Sequence, residues 1–293
     1  MKKSIIYLSV ICVLLIILAI IVLQKPGEKS VSEVSEGNVF QLDSASVDKI
    51  EIKTSSLAIK FEKRGQEWFI TKPIEYRANQ TNVNQVIHYV KIMENKGEVS
   101  NKPEKHSIFR VDEKGTEIVL YEKGDPKTAF ILGKMADRYN SYFIRKKNSN
   151  EVVLAEGIYS HIFDRSLKDW RDKEIFSTSK ELIKSIQFKY GNISFKLELR
   201  DTAWYIGKDL ADKNTVDRIL TSLATFTADD FVDSTISPKV TATIDVNGNQ
   251  LRFAYNNALK KYYVQTSKSA QWYIVEEWRA KEILKQKNDI IKR

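Results

Sequence analysis

The chain has one cysteine, Cys12, in 293 residues. Beyond that N-terminal position there is no thiol from which a disulfide framework or a thiolate metal site would be built. Stability has to come from a buried core. Histidine is nearly as scarce: His88, His106 and His161 have no second histidine or carboxylate at a spacing such as H-E-x-x-H, which excludes that metal motif. The G-x-S-x-G elbow, the P-loop and the dinucleotide-binding glycine fingerprint are also missing. No cofactor is expected, the chain is read as non-catalytic, and any nucleotide-driven step would belong to a partner. Five prolines and 11 glycines leave no room for low-complexity segments.

What is present is a core-forming composition, 42% hydrophobic and 11% aromatic, in a length that suits two ordinary domains plus an anchor. Residues Ile5–Leu23, "IIYLSVICVLLIILAIIVL", carry no charge; as a helix they would span about 28 Å, close to the hydrocarbon thickness of a bilayer. Gln24, Lys25 and Pro26 follow directly, without the small-residue pattern of a cleaved signal peptide. Ile11 before Cys12 is not the small residue that precedes a lipidated cysteine, so Cys12 reads as a small apolar residue of the helix. Lys2 and Lys3 favour a cytoplasmic N-terminus. The expected layout is a cytoplasmic tail over 1–4, a transmembrane helix over 5–23, a polar linker over 24–38 and everything after it outside the cytoplasm, anchored in the inner membrane.

Beyond the linker, apolar residues alternate with polar ones at Leu57, Ile59 and Phe61, and again at Ile193, Phe195, Leu197 and Leu199, the pattern of half-buried antiparallel strands. Val83, Val86, Ile87 and Val90, then Val216, Ile219, Leu220 and Leu223, have the spacing of one helix face, with Thr81 and Asn214 placed as N-caps. The two halves repeat each other. "EWFI" around Trp68 returns as "AWYI" around Trp204, 136 residues later; the helix stripe returns after 133; "SYFIRKKNSNEVVLAE", from Ser141, runs beside "KYYVQTSKSAQWYIVEE", from Lys261, at 120. The expected fold is α+β: two repeated domains, 39–165 and 179–293, each an antiparallel sheet with helices on one face, joined by a connector over 166–178. Trp68 and Trp204 are then equivalent framework residues.

The connector, "DRSLKDWRDKEIF", mixes apolar residues with charges of alternating sign. Trp170, Arg171 and Asp172 are its candidate interdomain or partner contacts, and Tyr139 and Tyr142 are candidate surface aromatics. "DVNGNQ" lacks the distal bidentate glutamate of a calcium loop and reads as a hairpin turn at Asn247-Gly248. "TADDF" reads as a solvated loop, with no nucleophile or base beside its two aspartates. Lys and Arg number 47 against 38 Asp and Glu, a net charge of +9; on a tethered domain this favours anionic lipid or wall polymer over nucleic acid. The segment "RAKEILKQKNDIIKR" is either a solvated terminal helix or a surface for a membrane or partner.

The order of features resembles the bacterial envelope proteins of the domain-of-unknown-function 4340 family. The resemblance rests on the N-terminal apolar helix, "EWFITKP", "NVNQVIHYVKIM", "FILGK" followed by "YNSYFIRKKNSNEVVLAE", and "SLKDWRDKEIF" before "LIKSIQF". It implies architecture and no catalytic residue. Members are often encoded beside ABC transporters of the gliding-motility type, which implies an accessory role beside the membrane and ATPase subunits of such a transporter.

Overall fold

The computed structural model describes residues 37–292. The expected tail, membrane helix Ile5–Leu23 and linker up to residue 36 lie outside the described residues; among the described residues no helix is long and apolar enough to cross a membrane. The fold is mixed α and β and its two large sheets are antiparallel. The chain divides into two compact units, one of residues up to Glu75 with Gln80–Arg165, the other of Tyr76–Asn79 with Ser166 onward. The expected end of the first repeat, residue 165, is the unit boundary. The connector over 166–178 is part of the second unit, because its backbone is hydrogen-bonded there.

The first unit contains β1 (Val47–Lys53), β2 (Ala58–Arg64) and β3 (Glu67–Lys72); β4 (Tyr76–Arg77), next in the chain, belongs to the second unit. Then come α1 (Gln80–Ile92), β5 (Glu94–Ser100), the single turn α2 (His106–Phe109), β6 (Thr116–Glu122), β7 (Asp125–Met135), β8 (Ser141–Lys146) and β9 (Val152–Glu156). Neighbours run β3-β2-β1-β6-β7-β8-β9-β5. Alternation sets the register: Ile50 faces Phe61 and Leu120, Ile52 faces Ile59 and Ile118, and all six are buried. A slip of one residue would turn that row to water. Helix α1 buries Val83, Val86, Ile87 and Val90, the stripe expected from spacing. Thr81 lies inside this helix, so it is not the cap.

Gly133 in β7 has no space for a side chain: a Cβ there would sit 2.2 Å from the Phe109 carbonyl oxygen and 2.8 Å from Val111 Cγ1. Gly133→Ala is expected to destabilise the first unit by about 1–3 kcal/mol through overpacking. Urea unfolding checks this; a midpoint equal to that of the wild type would mean the Phe109 carbonyl yields freely.

The second unit contains α3 (Leu167–Trp170), β10 (Glu174–Ser177), β11 (Ser185–Tyr190), β12 (Ile193–Arg200), β13 (Ala203–Ile206), β14 (Asp209–Leu210), α4 (Lys213–Ala224), β15 (Thr225–Thr227), β16 (Asp230–Phe231), β17 (Ala242–Val246), β18 (Asn249–Asn256), β19 (Lys261–Thr266), β20 (Tyr273–Glu276), α5 (Glu277–Ile283) and α6 (Lys287–Ile290). Its large sheet runs β14-β13-β12-β11-β17-β18-β19-β20-β16, from β13 onward the order of the first unit. The repetition extends to single hydrogen bonds. Asn95 N–H donates to the Gly37 carbonyl (2.9 Å), and its counterpart Ala228 N–H to Lys173 (2.7 Å). Asn79 N–H donates to Trp170 (2.8 Å) and Asp172 N–H to Arg77 (2.9 Å); Asp212 N–H donates to Ile290 (2.7 Å) and Lys292 N–H to Leu210 (2.9 Å). The last two pairs are one backbone clamp made twice, at the offsets of 133 and 120 found in the sequence. The stretch read as a connector is therefore the counterpart of the C-terminal turn α6.

Several local readings change. Helix α4 begins before Asn214 because Asp212 is the cap: its Oδ1 accepts the Thr215 N–H at 2.8 Å. That backbone bond, then the Thr215 side chain, holds the Asp212 carboxyl below its ordinary range. Asn247 and Gly248 have φ of 52° and 80°, the left-handed pair that a two-residue hairpin turn requires. "TADDF" is not a solvated loop. Asp229 accepts from Glu276 N–H at 2.9 Å and from Arg279 at 2.8 Å, which ties it to α5. In the C-terminal segment Ile283 and Ile290 are fully buried, with Leu284 and Ile291 packed on the same core. These four apolar residues are spent inside the unit, and Lys281, Lys287, Asp289 and Lys292 are exposed. Ile193 is 61% exposed, so the buried part of the expected stripe on β12 reduces to Phe195 and Leu197.

Candidate functional site

Within the first unit, α1 turns its valines and Ile87 inward, and its outward positions include His88 and Tyr89. The connection between β7 and β8 carries Tyr139, 81% exposed. Asn140, with φ of 58°, lets the chain reverse there, and its carbonyl accepts the Gly157 N–H at 3.1 Å. The loop after β9 adds Tyr159 and His161. The rings of these three segments meet in a ladder. His88 and Tyr89 centroids are 5.3 Å apart, Tyr89 and Tyr159 5.7 Å, Tyr139 and Tyr159 6.5 Å, and Tyr159 and His161 5.6 Å. Edge-on contacts of this kind contribute about 0.5–1.5 kcal/mol each beyond burial. They hold exposed rings in place before any ligand arrives.

Polar groups border the ladder. Glu156 pairs with Lys96 and Arg138, each at 3.3 Å, and the Asn140 side-chain oxygen is buried without a hydrogen-bond partner. The Tyr139 hydroxyl, hydrogen-bonded to that of Tyr159, raises the Tyr159 phenol above its ordinary value. The array has no nucleophile with a base; among the described residues no cluster of His, Cys, Asp or Glu is arranged to hold a metal. What the ladder offers is ring faces and edges on a fixed frame.

Of the residues singled out from sequence, Tyr139 is on this surface and Tyr142 is not. Tyr142 is 8% exposed, and its hydroxyl donates to Ser160 Oγ at 3.3 Å. Tyr139 lies in the connection before β8 and Tyr142 within the strand, so the two do not share a surface. His88, Tyr89, Tyr159 and His161 were missed because they are up to 73 residues apart in the chain; the one available signal was the density of rings in "IHYV" and "IYSHIF".

Trp170, Arg171 and Asp172 lie together in the second unit. Trp170 is fully buried and Arg171 is 3% exposed. The Arg171 guanidinium lies 3.6 Å from the Phe231 ring centroid and 4.5 Å from that of Tyr76. It donates to Asp233 Oδ1 at 2.6 Å and to Gln271 Oε1 at 3.0 Å. Burial, then the hydroxyl of Tyr273 at 3.1 Å, pushes the Tyr76 phenol far above its ordinary value. Asp172 accepts from Arg77 and from the Glu174 N–H. These three residues close a fold.

The matching strand orders and the two clamps give a duplicated architecture, and a family model answers to it: residues 68–246 match the family described as "Domain of unknown function (DUF4340)". The chain belongs to this family. The match runs from Trp68 in β3 to Val246 at the end of β17, so it takes in parts of both repeats of this DUF4340 protein. No curated protein matches the chain, and no solved structure does. For a DUF4340 member the family description assigns no activity, so the ladder and its neighbours stand on their own geometry.

Proposed function

We propose that this protein is a membrane-anchored, extracytoplasmic, non-catalytic accessory component of an ABC-type transport complex. The observation that carries this reading is the exposed, mutually braced ladder of His88, Tyr89, Tyr139, Tyr159 and His161. Tyrosine-rich surfaces of low side-chain entropy are what binding partners use as anchors. The uncharged run Ile5–Leu23 supports the tether, and the family resemblance supports the transporter.

The test is purification of the tagged full-length protein from its native membrane in mild detergent, with mass spectrometry of what accompanies it. Stoichiometric recovery of an ATPase and its membrane subunit is the expected result. Tyr139→Ala with Tyr159→Ala is expected to cut that recovery about tenfold or more, the size of losing an interface anchor. Recovery of the protein alone after crosslinking overturns the reading.

A second reading is an envelope-binding module for anionic lipid or wall polymer. The excess of 47 basic over 38 acidic residues favours it, since charge of this kind concentrates anionic surfaces. It requires salt-sensitive cosedimentation with anionic vesicles or wall material, and absence of binding at low salt removes it.

A further inference from the structure

Trp68 and Trp204 hold the same strand position in the two repeats but different surroundings. Trp68 is 1% exposed, and the Gln80 side-chain amide bonds its backbone twice: the Trp68 N–H donates to Gln80 Oε1 at 2.7 Å, and Gln80 Nε2 donates to the Trp68 carbonyl at 3.0 Å. The counterpart of Gln80, at the offset of 133 that relates α1 to α4, is Lys213. An ammonium has three donors and no acceptor. The two-point brace around Trp68 therefore has no equivalent at Trp204, and Lys213 is exposed.

Beside Trp204 is a cleft of about 470 Å³, inside the range of about 300–1,000 Å³ usual for small-molecule sites. Trp204, half-buried against the core of the second unit, forms its aromatic wall. Leu210, Val216 and Leu220 add aliphatic surface, and Leu210 is 39% exposed, so apolar area there is left in water. Four charges border the cleft: Asp212, Lys213, Asp217 and Lys292. Asp217 pairs with Lys180 at 3.3 Å. Asp212 caps α4 through the neutral Thr215 N–H and keeps its charge, with Lys292 among the cations that stabilise it. Lys213 and Lys292 make no ion pair among the described residues, so two cations face one uncompensated carboxylate and the rim is positive by one charge.

We propose that this cleft is a binding site for an amphipathic anion. An apolar chain or ring lies against Trp204, Leu210 and Val216, and a carboxylate or phosphate head sits on Lys213 and Lys292. Apolar burial supplies the affinity and the two ammonium groups select the sign of the head. The site belongs to the second repeat; its counterpart in the first, Trp68, is 1% exposed. It does not depend on the transporter partnership: either can fail without the other.

The experiment uses the full-length protein in a nonionic detergent, labelled with 5-fluorotryptophan, with Trp204→Tyr assigning the Trp204 signal among the five. Octanoate, octyl phosphate and octyltrimethylammonium are titrated below their micelle-forming concentrations. The expected result is a saturable shift of the Trp204 signal with the two anions, weakened about tenfold or more by Lys213→Glu with Lys292→Glu. The tighter of the two anions tells a fatty carboxylate from a phosphorylated head group. Should the double reversal fail to fold, Lys292→Met at the exposed chain end makes the same comparison, with a severalfold loss expected. A Trp204 signal that does not move, a cation that binds as tightly as the anions, or charge variants with unchanged affinity each overturn the proposal.

Discussion

Trp170→Ala is expected to lower the stability of the protein by about 3–5 kcal/mol, the cost of replacing a fully buried tryptophan with a cavity. The residue is completely enclosed, and its carbonyl is one half of the backbone clamp that accepts Asn79 N–H. The substitution therefore removes apolar contacts and loosens the backbone that the clamp holds. Trp278, 69% exposed at the start of α5, is the control: Trp278→Ala is expected to stay within about 0.5 kcal/mol of wild type. Urea unfolding of the purified protein, followed by near-ultraviolet circular dichroism, separates the two. Equal midpoints for both variants would show that the Trp170 pocket collapses without cost, contrary to a clamped backbone.

The second large effect concerns Arg171 and is asymmetric. Its guanidinium is buried, stacked on Phe231, and bonded to Asp233 and Gln271, whereas the Asp233 side chain is 75% exposed. Arg171→Ala is expected to cost about 3 kcal/mol, from the lost stacking and the charge-assisted bonds. Arg171→Met fills the same slot with an unbranched apolar chain and leaves Asp233 to water, so its cost is expected to be about 1 kcal/mol or less. Asp233→Ala removes a mostly solvated group, yet is expected to destabilise more than Arg171→Met, because it strands a buried cation. Midpoints in urea give the order directly. A methionine variant as unstable as the alanine one would mean that the charge, rather than the packing, holds this part of the unit.

The repeat shows how far reading along the chain reaches. The stripe Val83, Val86, Ile87 and Val90 and its counterpart in α4 are buried as their spacing requires. Ile50 with Ile52, and Ile186 with Phe188, line the two cores. Helix and strand periods survive in sequence because each residue's side is set by local geometry. The offsets of 136, 133 and 120 turn out to be those of single backbone hydrogen bonds. The clamp itself was hidden. "DWRD" and "DIIK" share one aspartate, Asp169 and Asp289 at the offset of 120, and little else, since the bonds they make use the backbone and leave the side chains free to differ.

Composition and periodicity alone determined that the described chain folds through apolar cores without disulfides, as antiparallel sheets with amphipathic helices, made twice. Those properties depend on burial at fixed spacing, and spacing is written in one dimension. Tertiary structure alone decided that Tyr142 and Trp170 turn inward while Tyr139 turns out. It alone assembled the ladder from α1 and two separate loops, and it alone left Trp204 beside a cleft where Trp68 is sealed. Each of these rests on which segments meet in space, and Gln80, unlike its counterpart Lys213, can both give and accept a hydrogen bond when they do.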